Sequence, residues 1–189
     1  MRELAIMALG EFGDTKAVGV LKEALKEVTP GGSDSTAEEL LVALFRLGEK
    51  QPLDDYLKKV EADAAAALQG DTKDDACSLL FSAALVMNRV GRRDEARANY
   101  LRLVKAVEDH KLASSATRVL PAALYNLACL SSIKGEKAPA LEWLGKAVRA
   151  GFKDRQWIRM DRDLEALRNE EGYRTLLADD KLFEAKPGD

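Results

Sequence analysis

Apolar side chains recur along this chain in steps of three and four. Leu4, Ala5, Ala8, Leu9 and Phe12 open the series, Gly13-Asp14 interrupts it, and Ala17, Val20, Leu21, Ala24, Leu25 and Val28 resume it. That spacing draws one apolar stripe on each of two helices, with Asp14 placed to cap the second. Thr29-Pro30-Gly31-Gly32-Ser33 cannot continue a helix cheaply and predicts a loop. A capping-box pattern follows, Ser35 with Glu38 or Thr36 with Glu39, ahead of Leu40, Leu41, Ala43, Leu44 and Leu47. It predicts a third helix that stops at Gly48. Pro52 suits the first turn of a fourth helix, whose Leu53, Tyr56, Leu57, Val60, Ala64 and Ala67 carry the stripe to Leu68.

The same cadence predicts helices over Asp74–Val90, Asp94–Glu108, Ala116–Lys134 and Lys137–Ala150. His110–Ser115 is the longest connection in this stretch, and Pro121 either kinks the helix it lies in or marks where that helix begins. Gly13, Gly48, Gly91 and Gly135 punctuate the helices at spacings of 35, 43 and 44 residues. An internal repeat of antiparallel helix pairs accounts for this rhythm. Such pairs bury their apolar faces only against neighbouring pairs, so the expectation is an all-α protein of about nine to ten helices stacked as a right-handed α-solenoid.

Composition agrees with that pattern. The 189 residues include 29 Ala and 28 Leu, both strong helix formers, while aromatic residues supply only 6%. A hydrophobic share of 47% and a charged share of 32% exclude disorder and collagen-like structure. The net charge of -3 offers no global attraction to nucleic acid or to an anionic membrane. Residues 1–70 carry 8 basic and 13 acidic side chains, and residues 71–189 carry 21 and 19, so neither part is a charged tail. No stretch approaches the ~18 apolar residues of a membrane span, and there is no secretory leader pattern at the N-terminus. Cys77 and Cys129 stand far apart in helical stretches, as free thiols suited to a reducing cytoplasm.

Three stretches resemble known repeat families. Ala8-Leu9-Gly10-Glu11-Phe12-Gly13-Asp14, followed by Ala17-Val18 and Leu21, resembles the helix-turn-helix junction of HEAT-like repeats, and residues 37–60 match more loosely through Gly48-Glu49 and Pro52-Leu53. Residues 74–151 resemble tetratricopeptide repeats: Ala84, Gly91, Ala96 and Tyr100 fill the packing positions of one unit, and Leu127, Ala128, Gly135, Ala140, Leu144 and Ala147 those of the next. Met87 and Ser131 stand where that family places an aromatic residue. Gly151-Phe152-x-Asp154-x-x-Trp157, continued by Asp161-x-Asp163-Leu164-x-x-Leu167-Arg168 and Tyr173-x-x-Leu176-Leu177, resembles the closing unit of bacterial tetratricopeptide arrays. The organisation implied is HEAT-like repeats over 1–70, tetratricopeptide-like repeats over 71–151, capping helices over 152–180 and a flexible tail over 181–189. In the cap, Asp161 or Asp163 would begin a short helix, and Leu164 and Leu167 would cover the open end of the last repeat.

Catalytic chemistry finds little support. His110, the one histidine, sits in Glu108-Asp109-His110-Lys111 with no partner at a recognisable spacing, so a solvated helix end is the better reading than a general base. Asp161 and Asp163 read as caps rather than as an acid-base or metal-binding pair, and neither cysteine neighbours a residue that would favour its thiolate. Single glycines without a phosphate-binding motif give no nucleotide cradle. Arg92-Arg93 and Lys153, Arg155, Arg159 and Arg162 are interleaved with acidic residues, as on a solvated face rather than a nucleic-acid stripe. The expectation is therefore no enzyme, no cofactor and no metal.

What remains is a binding surface. In the tetratricopeptide register, the inner-helix face opposite the packing positions carries Phe81, Leu85, Asn88 and Arg89 in one unit and Tyr125, Asn126 and Cys129 in the next. Lysines are absent there, which departs from family members that clamp an acidic chain terminus. The expected partner is a largely apolar peptide segment of another protein, held by Tyr125 and Phe81, with Asn126 and Asn88 bonding its backbone. The leading reading is thus a noncatalytic protein-interaction scaffold, without nucleic-acid or membrane binding. The runner-up is a regulatory or targeting module of a larger bacterial enzyme such as a kinase or protease, because the first helix has no covering repeat before it. A nucleic-acid-binding helical repeat ranks below both, given the acidic first half, and an enzyme on HEAT-like repeats, such as a bilin lyase, lacks any supporting constellation. Leu4 and Met7, uncovered at the N-terminal edge, would also permit self-association there.

Overall fold

Gly13, Gly48, Gly91 and Gly135 have φ of 69°, 92°, 83° and 77°, the left-handed geometry that a side chain resists. Each follows a helix end, so the spacing of turn glycines is the spacing of helix junctions. The structure is a computed structural model that describes residues 2–28, 36–110, 112 and 118–184, with side chains from residue 5 onward. Among these residues the protein is all-α: ten α-helices, three short 3-10 turns and no strand. The Thr29–Ser33 loop, Ser35, Ala116 and most of the His110–Ser115 connection lie outside the described residues, as does the side chain of Leu4.

The helices are α1 (Arg2–Phe12), α2 (Val18–Lys26), α3 (Thr36–Arg46), α4 (Gln51–Gln69), α5 (Lys73–Arg89), α6 (Arg93–His110), α7 (Leu120–Ile133), α8 (Lys137–Ala150), α9 (Arg155–Met160) and α10 (Glu171–Ala178). Asp14 does act as a cap: its carboxylate accepts the Lys16 amide at the head of the Thr15–Ala17 turn, which runs into α2. Pro121 lies in the first turn of α7 and so marks the start of that helix rather than a kink. No helix of the described residues is long and apolar enough to cross a membrane.

Two compact units divide the chain, residues 1–99 and 100–189. In the first, α3 is the shared neighbour: α1, α2, α4 and α5 all pack on it. Its positions 40 to 44 are buried without a break, because a helix with neighbours all round has no polar face to spare. Ile6, Ala17, Leu21, Leu40, Ala43 and Leu44 form the core where α1 and α2 meet α3, with Leu9, Leu25 and Leu47 packed against it. Arg89 on α5 reaches Glu39 on α3 through two hydrogen bonds of 2.6 Å, and Arg92 bonds both Asp54 on α4 and Glu95 on α6. Phe12, at the end of α1, is 86% exposed, and Met7 is half-buried.

In the second unit α7 packs against α8 and against the 3-10 turn Arg162–Leu167. Asp161 caps that turn by accepting the Asp163 amide, and Leu164 and Leu167 are fully buried beneath it. Asp154 caps α9 through the Trp157 amide. The chain then folds back, for Asp180–Leu182 forms a further 3-10 turn, Arg155 bonds the Asp180 carboxylate, and the Arg155 guanidinium lies 4.4 Å over the Phe183 ring. Residues 185–189 lie outside the described part of the chain.

One close helix approach can be tested at a glycine. A Cβ built on Gly10 would stand 2.8 Å from the Ala43 Cα, so α1 sits against the backbone of α3. Gly10→Ala should cost about 1–3 kcal/mol by overpacking. Gly145→Ala in α8 meets only the movable Arg149 guanidinium at 3.0 Å, and alanine's helix propensity should make it neutral or stabilising by up to ~1 kcal/mol. Urea unfolding of both variants checks the pair. Equal stability of the Gly10 variant and the parent chain would refute the close approach.

Candidate functional site

The seven residues singled out from the repeat register fall into two groups, one in each unit. On α5, steps of three and four residues align Phe81, Leu85, Asn88 and Arg89 along one side of the helix. Phe81 and Asn88 are half-buried, and Leu85 keeps 37% of its surface exposed. Arg89 is committed within the unit, since Glu39 holds its guanidinium on both nitrogens. A planar guanidinium gripped in this way is a brace between α5 and α3.

On α7 the second group turns inward. Tyr125 and Cys129 are buried, and Asn126 is half-buried and donates its amide to the Tyr100 hydroxyl at 3.1 Å. The Tyr125 ring stacks on Phe152 with centroids 4.1 Å apart and planes 3° from parallel. Its hydroxyl donates to Asp161 Oδ2 at 2.5 Å, and the Cys129 thiol faces the same oxygen at 3.7 Å. Asp161 Oδ1 accepts the Asp163 amide at 2.9 Å, and the Asp161 carbonyl accepts from Arg168 at 3.2 Å. One residue thus caps its own turn and closes over the face of α7.

Asp161 and Phe152 were visible in the sequence as parts of the capping motif, yet nothing there paired them with Tyr125. The pairing is a tertiary event across 36 residues of chain for Asp161. The i, i+4 spacing of Tyr125 and Cys129 puts both on one side of α7, and the cap supplies the carboxylate that both meet.

The electrostatics follow from burial. Removal from water pushes the Cys129 thiol well above its ordinary range, and the carboxylates of Asp161 and Asp163 push it further. Tyr125 is raised by burial first and by its bond to the Asp161 carboxylate second. Cys77 is likewise raised, by burial and then by Asp74. Both thiols are therefore held as neutral, unreactive groups.

Cys129 Sγ, an Asp161 oxygen and an Asp163 oxygen lie within 4.8 Å of one another, the kind of grouping that can ligate a cation. Its chemistry fits poorly. Both Asp161 oxygens already accept hydrogen bonds, from the Tyr125 hydroxyl and the Asp163 amide, so a cation there would compete with the contacts that close the cap. His110 ends α6, exposed.

Neutral buried groups give the site a pH signature. In the unfolded chain a thiol loses its proton near pH ~8.5 and a phenol near ~10, while in the folded chain Cys129 and Tyr125 hold theirs to higher pH. Their contribution to stability is complete below those unfolded values and is lost as pH rises through the folded ones. Cys77, Tyr56, Tyr100 and Tyr173, also raised mainly by burial, act with the same sign. The urea midpoint should decline steadily above about pH 8.5, and Cys129→Ala and Tyr125→Phe should each flatten the decline. A midpoint that stays level from neutral pH to about pH 10.5 would contradict the protonation states assigned here.

Comparison of the chain with protein-family models, curated proteins and solved structures returns no match.

Proposed function

We propose that the chain is a noncatalytic interaction scaffold: a right-handed α-solenoid, HEAT-like and then tetratricopeptide-like, that holds a peptide segment of a partner protein. The observation that carries this reading is the side of α5. Leu85, more than a third exposed, stands between half-buried Phe81 and Asn88 at three- and four-residue steps. An aliphatic contact with an amide one turn away, on a helix braced to α3 through Arg89 and Glu39, can seat an apolar side chain and bond a peptide backbone. The α7 group supports the reading differently. Tyr125 and Cys129 are engaged by the cap, so their part is to keep the inner helix in place, and Asn126 is the member of that group left partly accessible.

Two buried free thiols fit a reducing compartment, and we place the scaffold in the cytoplasm.

Peptides selected from a random library against the folded chain provide the test. Leu85→Glu should weaken the selected peptides by about 1–3 kcal/mol in calorimetry, and Asn88→Ala should cost about 1 kcal/mol, with the helical signal unchanged. Unaltered affinity in both variants would move binding away from α5.

A further inference from the structure

A second contact point stands out in the capping region. Tyr173 of α10, buried, donates its hydroxyl to the Ile158 carbonyl of α9 at 2.9 Å. That bond fastens the two helices together. The chain neighbours of its two ends, Arg159 and Arg174, line one surface pocket of about 240 Å³ together with Tyr173, Leu177 and Ala178.

Two other arginines at this end of the chain are engaged within it. Arg155 bonds Asp180, and Arg168 bonds the Asp161 carbonyl. Arg159 and Arg174 are exposed and have no carboxylate or carbonyl partner among the described residues. The charge of Arg159 is felt locally: burial raises the Tyr173 phenol, and Arg168 and Arg159 pull it back down.

Two guanidiniums that line one pocket without an internal counter-charge leave a positive site that a planar oxyanion complements, because each can offer a fork of donors to a carboxylate. Leu177 and Ala178 supply an apolar wall beside them. The net charge of -3 sets the chain against an extended polyanion such as nucleic acid, while a short segment with few carboxylates meets less repulsion.

We propose that this pocket binds an acidic peptide segment, with a glutamate or aspartate carboxylate between Arg159 and Arg174 and a neighbouring aliphatic side chain against Leu177 and Ala178. The site extends the peptide-binding reading to the last unit of the chain and commits it to a partner chemistry. It is built from residues of the second unit, whereas the α5 surface belongs to the first, so either can fail alone.

Fluorescence anisotropy with the full chain tests it, using a labelled peptide of alternating Glu and Leu, the same peptide with Gln for Glu, a phosphoserine peptide and a short single-stranded RNA. The Glu peptide should bind at least about tenfold tighter than its Gln counterpart at low salt, and Arg159→Gln and Arg174→Gln should each remove about tenfold. Arg162→Gln, an exposed arginine outside the pocket, should leave the Glu peptide's affinity unchanged. Thermal melts confirm that each variant folds. Equal binding of the Glu and Gln peptides, an equal loss in Arg162→Gln, or tighter binding of the RNA would each overturn the proposal. Preference for the phosphoserine peptide over the Glu peptide would overturn the carboxylate assignment.

Discussion

The second unit depends on covering a helix that has almost no polar side. From Ala123 to Ser132 every residue of α7 is buried except Asn126, which is half-buried. One neighbour can cover only part of such a cylinder, so α8 takes one side and the turn Arg162–Leu167 another. Burying a large apolar side chain stabilises by about 1.5–3 kcal/mol, which makes this cover a large part of the unit's stability. The capping motif is therefore best understood from what α7 demands of it.

Asp161 meets that demand at its polar edge. A tyrosine hydroxyl carried into a packed interface needs a partner, since an orphaned one costs about 1–3 kcal/mol. Asp161 provides it at 2.5 Å while its other oxygen starts the turn that brings Leu164 and Leu167 onto the core. The same carboxylate and the same burial keep the Cys129 thiol protonated. Capping, packing and protonation state are linked through one side chain, and the parallel stack of Phe152 on Tyr125 fixes the ring from its other side. In the first unit the comparable brace is Arg89 on Glu39, which joins α5 to α3 while leaving Leu85 partly exposed.

Local features were legible in the sequence because their causes are local. Positive φ at Gly13, Gly48, Gly91 and Gly135, the Asp14 cap, Pro121 in the first turn of α7 and the burial of Leu164 and Leu167 all follow from short-range spacing and side-chain chemistry. What was hidden came from partners distant in the chain. Tyr125 had the composition of a binding-surface anchor, and periodicity alone could not say that Phe152 and Asp161 would fold over it. Arg89 matched a groove position equally well, and Glu39, fifty residues earlier, takes its guanidinium. An aromatic or arginine on one side of a helix serves a ligand and a neighbouring element by the same chemistry, so only tertiary structure separates the two uses.

The link between α7 and its cap can be measured directly by a double-mutant cycle on Tyr125 and Asp161. Tyr125→Phe removes the donor, and Asp161→Ser keeps a side chain that caps the turn well but is too short to reach Tyr125. With a charged acceptor in a half-buried setting, the two substitutions should be non-additive in urea unfolding by about 1.5–3 kcal/mol. Additivity within about 0.5 kcal/mol would show that the two side chains act independently and would contradict the role given to Asp161.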